Sequence, residues 1–94
     1  MPAVAERHAP KGKLDLAAVP DLHGWLVAAR GKEVFLDLQD VTLVGALCLQ
    51  TCLAAARNAA VAGTGFAIIN ASDAVLAQLS AMGFTPESLS EGAA

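Results

Sequence analysis

Residues 33–51, EVFLDLQDVTLVGALCLQT, join a strand-like segment to a helix-like one. Apolar residues at every second position from Val34 to Leu38 have the period of a β-strand. Phe35 adds an apolar side chain on the opposite face, which predicts a central strand covered on both sides. From Ala46 to Val61 the spacing becomes helical. Such junctions commonly hold the functional groups of small α/β domains, yet residues 45–48 read Gly-Ala-Leu-Cys and include no Ser, Asp, His or Lys.

The segments around this junction continue the alternation. The sequence predicts an edge strand in residues 1–8, a hairpin end or short strand at KLDL (13–16), a helix from residue 17 or 18 to Gly31, a strand over 65–70 and a helix over 74–81 with Val75, Leu76 and Leu79 inward. Residues 40 and 41 are expected to begin a turn, and 42–44 to lead into the second helix. Phe84 and Leu89 of the tail are expected to dock on the domain.

The order of these segments predicts the fold class. Strands that alternate with helices give an α/β fold, here with a mixed but mostly parallel sheet of four to five strands and three to four helices packed on it. We expect one domain over residues 1–94, with residues 1–2 and 90–94 frayed.

Composition excludes several functions. The chain has 94 residues, a net charge of −3 and six scattered Lys and Arg residues, so nothing clusters the cations that nucleic-acid binding requires. No uncharged run is long enough to span a bilayer comfortably, and the N-terminal MPAVAERHAPKGK lacks the apolar core of a signal peptide. We therefore expect a cytoplasmic protein without membrane insertion, and its two cysteines suit a reducing compartment.

Three stretches in succession resemble the STAS domain of bacterial anti-sigma factor antagonists. They are KLDLAAVPDLHGWL, EVFLDLQDVTLVGALCLQTCLAAARNA and GFAIINASDAVLAQLSAMGF, within residues 13–84. The resemblance implies a STAS-like fold and a regulatory function without catalysis. Family members typically carry Asp-Ser-Ser-Gly at the start of the second helix, where a kinase phosphorylates a serine or threonine. Here Ala46 stands at the phosphoacceptor position and Gly45 replaces the aspartate, so this switch is absent.

A narrower resemblance concerns VGALCLQTCLAAAR, residues 44–57. Its Gly-x-x-Cys-hydrophobic-Gln pattern is similar to small STAS proteins associated with alphaproteobacterial chemotaxis, which also lack the serine. That resemblance implies binding to a cytoplasmic chemotaxis histidine kinase and modulation of phosphosignalling. The alternatives are an anti-sigma factor antagonist-like regulator and a cytoplasmic STAS subunit of a lipid transporter.

The predicted partner-binding residues are Gly45, Ala46, Leu47, Gln50 and Thr51. Small residues at 45 and 46 also fit a tight turn, and Leu47 could instead pack on the preceding loop. An exposed leucine beside polar residues is, however, a typical protein contact. This surface predicts a protein partner, and the oligomeric state stays open.

Chemistry on other side chains is disfavoured. Cys48 and Cys52 lie one helical turn apart, and the only histidines, His8 and His23, have no reason to lie nearby, so we expect no metal and no cofactor. Small buried core residues are the simplest interpretation of both cysteines. A different class of function, an enzyme or ligand-binding domain with Cys48 as a reactive thiol, would require a thiolate near neutral pH. Trp25 is expected in the core and His23 in solvent.

Overall fold

The computed structural model describes residues 5–92. Its elements are β1 (Ala5–His8), β2 (Gly12–Leu14), a 3-10 turn (Leu16–Ala18), α1 (Val19–Ala28), β3 (Glu33–Asp37), β4 (Val41–Val44), α2 (Ala46–Ala62), β5 (Phe66–Ile69), α3 (Asp73–Ala81) and α4 (Pro86–Ser90). The predicted strand at residues 1–8 is confirmed as β1 from Ala5 onward, and its first four positions lie outside the described residues.

The strands form two small parallel sheets. One has three strands in the order β1-β3-β5 and the other pairs β2 with β4. All three strand pairs found within residues 5–92 are parallel, which confirms a mostly parallel α/β fold of five strands and four α-helices. The hairpin interpretation of KLDL is wrong, because β2 pairs with β4 and not with β1. Residues 41–44 are a strand of their own and not a turn with an extended connection.

The central position of β3 is confirmed, since it lies between β1 and β5. Its two faces differ, however. Val34 and Leu36 are buried on one face, whereas on the other Phe35 is 37% exposed and Asp37 is buried, so the second face is covered only in part. The neighbour of Phe35 on the β1 strand is the exposed Arg7.

The long helix α2 supplies much of the core. Its helical spacing predicts a packing stripe of Leu49, Cys52, Leu53, Ala56, Ala59 and Ala60. The first four of these residues are buried, together with Cys48. Ala59 is half-buried and Ala60 is exposed, because α2 leaves the core as it approaches Gly63. Gly63 ends the helix with φ +74°, a left-handed conformation that glycine adopts without strain.

Helix α3 forms close to the predicted residues, but one of the side chains predicted to face the core is exposed. The Ser72 side chain accepts a hydrogen bond from the Val75 N–H at 3.2 Å and caps the helix. Val75 and Leu79 are fully buried. Leu76 is 38% exposed, which corrects its inward assignment, because it follows Val75 by only one residue and so points away from the buried face.

The segment after Phe84 contains a short helix, α4, and Leu89 docks on the domain as predicted. Thr85 and Ser88 form a capping box at the start of α4, and Leu89 is only 1% exposed. The Ser90 hydroxyl accepts a hydrogen bond from the Ile68 N–H at 3.0 Å, so α4 covers the outer edge of β5. The predicted fraying at residues 90–94 stays a prediction, and residues 1–2 and 93–94 lie outside the described part of the chain.

Candidate protein-binding site at the strand–helix junction

Gly45 connects β4 to α2 and packs tightly against β2. Its N–H donates to the Leu14 carbonyl at 2.7 Å, and its own carbonyl accepts from the Leu49 N–H at 3.0 Å. A Cβ atom at this position would lie 3.1 Å from the Leu14 oxygen and 3.6 Å from the Asp15 Cα. The predicted need for a small residue at this turn follows from this backbone contact, since φ is −82° and suits any residue.

A second contact fixes the strand that leads into the junction. The Gln78 side chain on α3 accepts a hydrogen bond from the Val44 N–H at 2.8 Å and donates one to the Thr42 carbonyl at 3.0 Å. These two bonds satisfy the edge of β4 that does not pair with β2. Gln78 therefore has a positioning role that the sequence alone did not indicate, because no pattern within α3 identifies its partner 34 residues earlier in the chain.

The five predicted residues lie together at the start of α2. Ala46 is the first helical residue and is exposed, as is Gln50. Leu47 is 53% exposed, so it does not pack fully on the preceding loop. Thr51 is half-buried, and its hydroxyl donates to the Leu47 carbonyl at 2.8 Å, which leaves that hydroxyl engaged within the helix. Whether these residues contact a partner stays a prediction.

The structure adds Leu16 to this site. Leu16 belongs to the 3-10 turn after β2 and is 71% exposed. The Cys48 thiol, one residue after Leu47, donates to the Asp15 carbonyl, one residue before Leu16, at 3.4 Å. Leu16 and Leu47, hereafter the junction leucines, therefore stand on two segments in direct contact. Local patterns do not predict this position, because strand alternation would place Leu16 inward beside Leu14.

The cysteines have the environment of core residues. Cys48 and Cys52 are both buried and free. Burial raises the pKa of the Cys52 thiol to about 12, and burial, with a smaller contribution from Asp15, raises the pKa of Cys48. Thiolates are thus disfavoured at neutral pH. Among residues 5–92, no cluster of His, Cys, Asp and Glu has the composition to hold a metal ion.

A buried carboxylate lies at the carboxyl end of β3. Asp37 is 1% exposed, and it forms an ion pair with Arg7 on β1 and accepts a hydrogen bond from the Gln39 N–H at 2.9 Å. The Arg7 hydrogen bond is the main cause that holds the pKa of Asp37 below 3.8. Asp37 is thereby satisfied as a structural group, and a charged carboxylate with a depressed pKa is a poor general base near neutral pH.

The aromatic residues of α1 lie outside the junction. Trp25 is half-buried and stacks on His8 with ring centroids 4.7 Å apart, so it packs against the side of the core. His23 is exposed, as predicted. Partial burial lowers the pKa of His8.

Across residues 5–92, every helix is too short or too polar to cross a membrane.

Comparison with known proteins identifies the family. Residues 11–89 match the family model described as "Mlab, STAS domain", so the chain belongs to the STAS domain family. A solved structure, a sulfate transporter family protein from Wolinella succinogenes, is similar with a TM-score of 0.75 and 20% sequence identity, over 93% of this chain and 72% of that one. At that identity the likeness shows the fold alone. No curated protein matches.

Proposed function

We propose that this STAS domain is a non-catalytic protein-interaction module whose binding face centres on the start of α2. The observation that carries the proposal is the exposure of the junction leucines, at 71% for Leu16 and 53% for Leu47, on segments in contact with each other. Single exposed leucines are ordinary on protein surfaces, but neighbouring ones are typical of binding sites. Gly45, Ala46 and Gln50 extend this face.

The same face has no phosphoacceptor at its centre. Ala46 opens α2 at the position where STAS domains typically carry the phosphorylated serine or threonine, and an alanine cannot be phosphorylated. A phosphate at that point would add a charge of about −1.5 to −2 to an apolar contact. Binding through this face is therefore constitutive or is regulated on the partner.

The proposed partner is a cytoplasmic histidine kinase of a chemotaxis system, whose phosphosignalling the domain modulates. The support is the sequence pattern at residues 44–57, which resembles small STAS proteins associated with chemotaxis and lacking the serine. An anti-sigma factor antagonist-like regulator would use the same face, but its usual phosphorylation switch has no acceptor here.

A second candidate is a cytoplasmic subunit of a transporter. The family model carries the description "Mlab, STAS domain", and the similar solved structure belongs to a sulfate transporter family protein. The name of the solved structure favours association with a transporter, and a subunit of a lipid transporter is the form of this role that the STAS resemblance implies. This candidate uses the same non-catalytic module and differs in the partner.

Affinity capture from the native cell tests the proposal. The tagged wild-type chain is compared with Leu16→Asp and Leu47→Asp, each verified as folded by circular dichroism. Val61→Asp is the matched control, because Val61 lies at the far end of the same helix and is 91% exposed. We expect a specific protein that wild type and the Val61 variant retain and both junction variants lose.

The identity of the captured protein separates the two candidates. A histidine kinase supports the chemotaxis assignment, and a transporter ATPase or permease supports the second candidate. If both junction variants retain the partner as well as wild type does, the proposed face is wrong. If a purified partner loses affinity equally with the Val61 variant, the effect reflects added charge and the proposed face is also wrong.

A further inference from the structure

A cleft of about 410 Å³ lies between α1 and α2, and neither of the junction leucines lines it. Its floor includes Leu26 of α1 and the first buried residues of two strands, Val34 and Phe66, which pair with each other across β3 and β5. This volume falls within the roughly 300–1,000 Å³ of small-molecule sites. The cleft is thus large enough for a ligand and has an apolar base.

The cleft is open because α2 faces it with small side chains. Six α2 residues line it, four of them alanines: Thr51, Ala54, Ala55, Asn58, Ala59 and Ala62. At about 1.5 Å per residue this run extends about 16 Å along the helix. On α1 the lining begins at His23 and continues to Arg30 after the helix end. The shape is therefore elongated, which suits a chain-like ligand better than a compact ring.

Positive charge is concentrated at one end of this elongated cleft. Arg30 and Lys32 line it between α1 and β3, and within residues 5–92 neither Asp nor Glu contributes to the lining. Lys32 is partly engaged, with its Nζ atom 3.2 Å from the Glu6 carboxylate. Arg30 is exposed, so its guanidinium is accessible to an anion at the rim.

We propose that this cleft binds a single-chain amphiphile with an anionic headgroup, such as a fatty carboxylate. The acyl chain lies along the alanine wall of α2 over Leu26, Val34 and Phe66, and the headgroup lies against Arg30. Apolar burial provides the larger part of the affinity and the guanidinium selects the charge. This inference goes beyond the proposed function, because neither junction leucine lines the cleft, although Thr51 belongs both to its lining and to the predicted partner-binding residues.

Titration of the full chain with decanoate, followed by amide chemical shifts, tests the proposal. In wild type we expect saturable shifts centred on Val34, Ala59 and Phe66. Arg30→Gln should weaken decanoate binding about tenfold, the loss of one charge-assisted hydrogen bond. Lys11→Gln, which removes an exposed cation outside the cleft, should bind like wild type.

Two further measurements separate this binding from simple hydrophobic adsorption. Ala59→Leu fills the cleft and should abolish the shifts, while decanol should bind wild type more weakly than decanoate and be indifferent to Arg30→Gln. If Ala59→Leu fails to fold, the decanol and Arg30 comparisons decide alone.

Three results overturn the proposal: no saturable shifts in wild type, equal affinity for decanol and decanoate, or decanoate binding that survives both substitutions. Vesicles of phosphatidylglycerol test whether the protein binds the anionic headgroups and acyl chains of a bilayer instead of a single amphiphile. Binding to vesicles without binding of monomeric decanoate would indicate a surface attraction to bilayers and would also overturn a site for a single chain.

Discussion

Gln78→Leu tests whether the contact between α3 and β4 holds the binding junction in place. The substitution keeps the size and helix propensity of residue 78 nearly unchanged, and it removes the hydrogen bonds to Val44 N–H at 2.8 Å and to the Thr42 carbonyl at 3.0 Å. A net contribution of about 0.5–1.5 kcal/mol per hydrogen bond gives a loss of about 1–3 kcal/mol in the free energy of unfolding.

The assay is urea unfolding followed by circular dichroism, together with amide hydrogen exchange. A loss of about 2 kcal/mol lowers the melting temperature of a domain of this size by about 8–16 °C. The Val44 amide should lose protection more than amides of β3, because its acceptor is removed. Gln50→Leu, on the exposed surface of α2, should stay within about 0.5 kcal/mol of wild type. If Gln78→Leu is as stable as Gln50→Leu and Val44 keeps its protection, the contact does not secure the junction.

Three further predictions concern stability and reactivity. Leu89→Ala should cost about 2–5 kcal/mol of unfolding free energy in urea titrations, because Leu89 is 1% exposed; a loss below about 0.5 kcal/mol would mean that α4 is not part of the folded core. Because the folded-state pKa of Asp37 is depressed, its ion pair with Arg7 stabilises the fold above the unfolded value near 3.8 and this contribution is lost as pH falls through the lower folded value. Urea titrations at a series of pH values should show a shallower acid decline in Asp37→Asn than in wild type, and parallel curves would contradict this account. Cys52, with its pKa raised to about 12, should resist iodoacetamide at pH 8 in the native protein and react quickly in urea, as followed by mass spectrometry; fast native alkylation would refute its burial.

Local patterns predicted most of the fold. The period of two in residues 34–38 and the helical spacing in residues 46–61 are strong signals, and both elements form where the patterns place them. Short elements were harder. Residues 41–44 have the pattern of a connection because β4 is only four residues long, which is too short to show a period of two. The strand also depends on pairing with β2, a segment distant in sequence.

Long-range polar contacts account for the other differences. The side chains of Gln78 and Ser90 each accept a hydrogen bond from a backbone N–H of a strand that is distant in sequence. The residues around Gln78 and Ser90 show no pattern from which these partners could be predicted. The sequence of α4, PESLS, has Leu89 as its one buried apolar anchor. A single anchor has no periodicity, so the sequence alone predicts a tail and not a helix at this position. Of the junction leucines, only Leu47 is among the residues that the sequence predicts to bind a partner. The exposure of Leu16 cannot be predicted from local pattern, because it depends on the 3-10 turn that interrupts the strand alternation after Leu14.

The hydrogen bonds around the junction bear on how a module without a phosphoacceptor could bind. Leu14 and Asp15 are tied to α2 by the Gly45 N–H and by the Cys48 thiol, and α3 holds β4 through Gln78. The backbone that carries Leu16 and Leu47 is thus fixed before any partner arrives. A pre-organised face loses less conformational entropy on association than a mobile loop does. In the proposed interaction, affinity would depend on apolar contact with this surface, and an alanine at position 46 would leave its centre without a phosphorylation site.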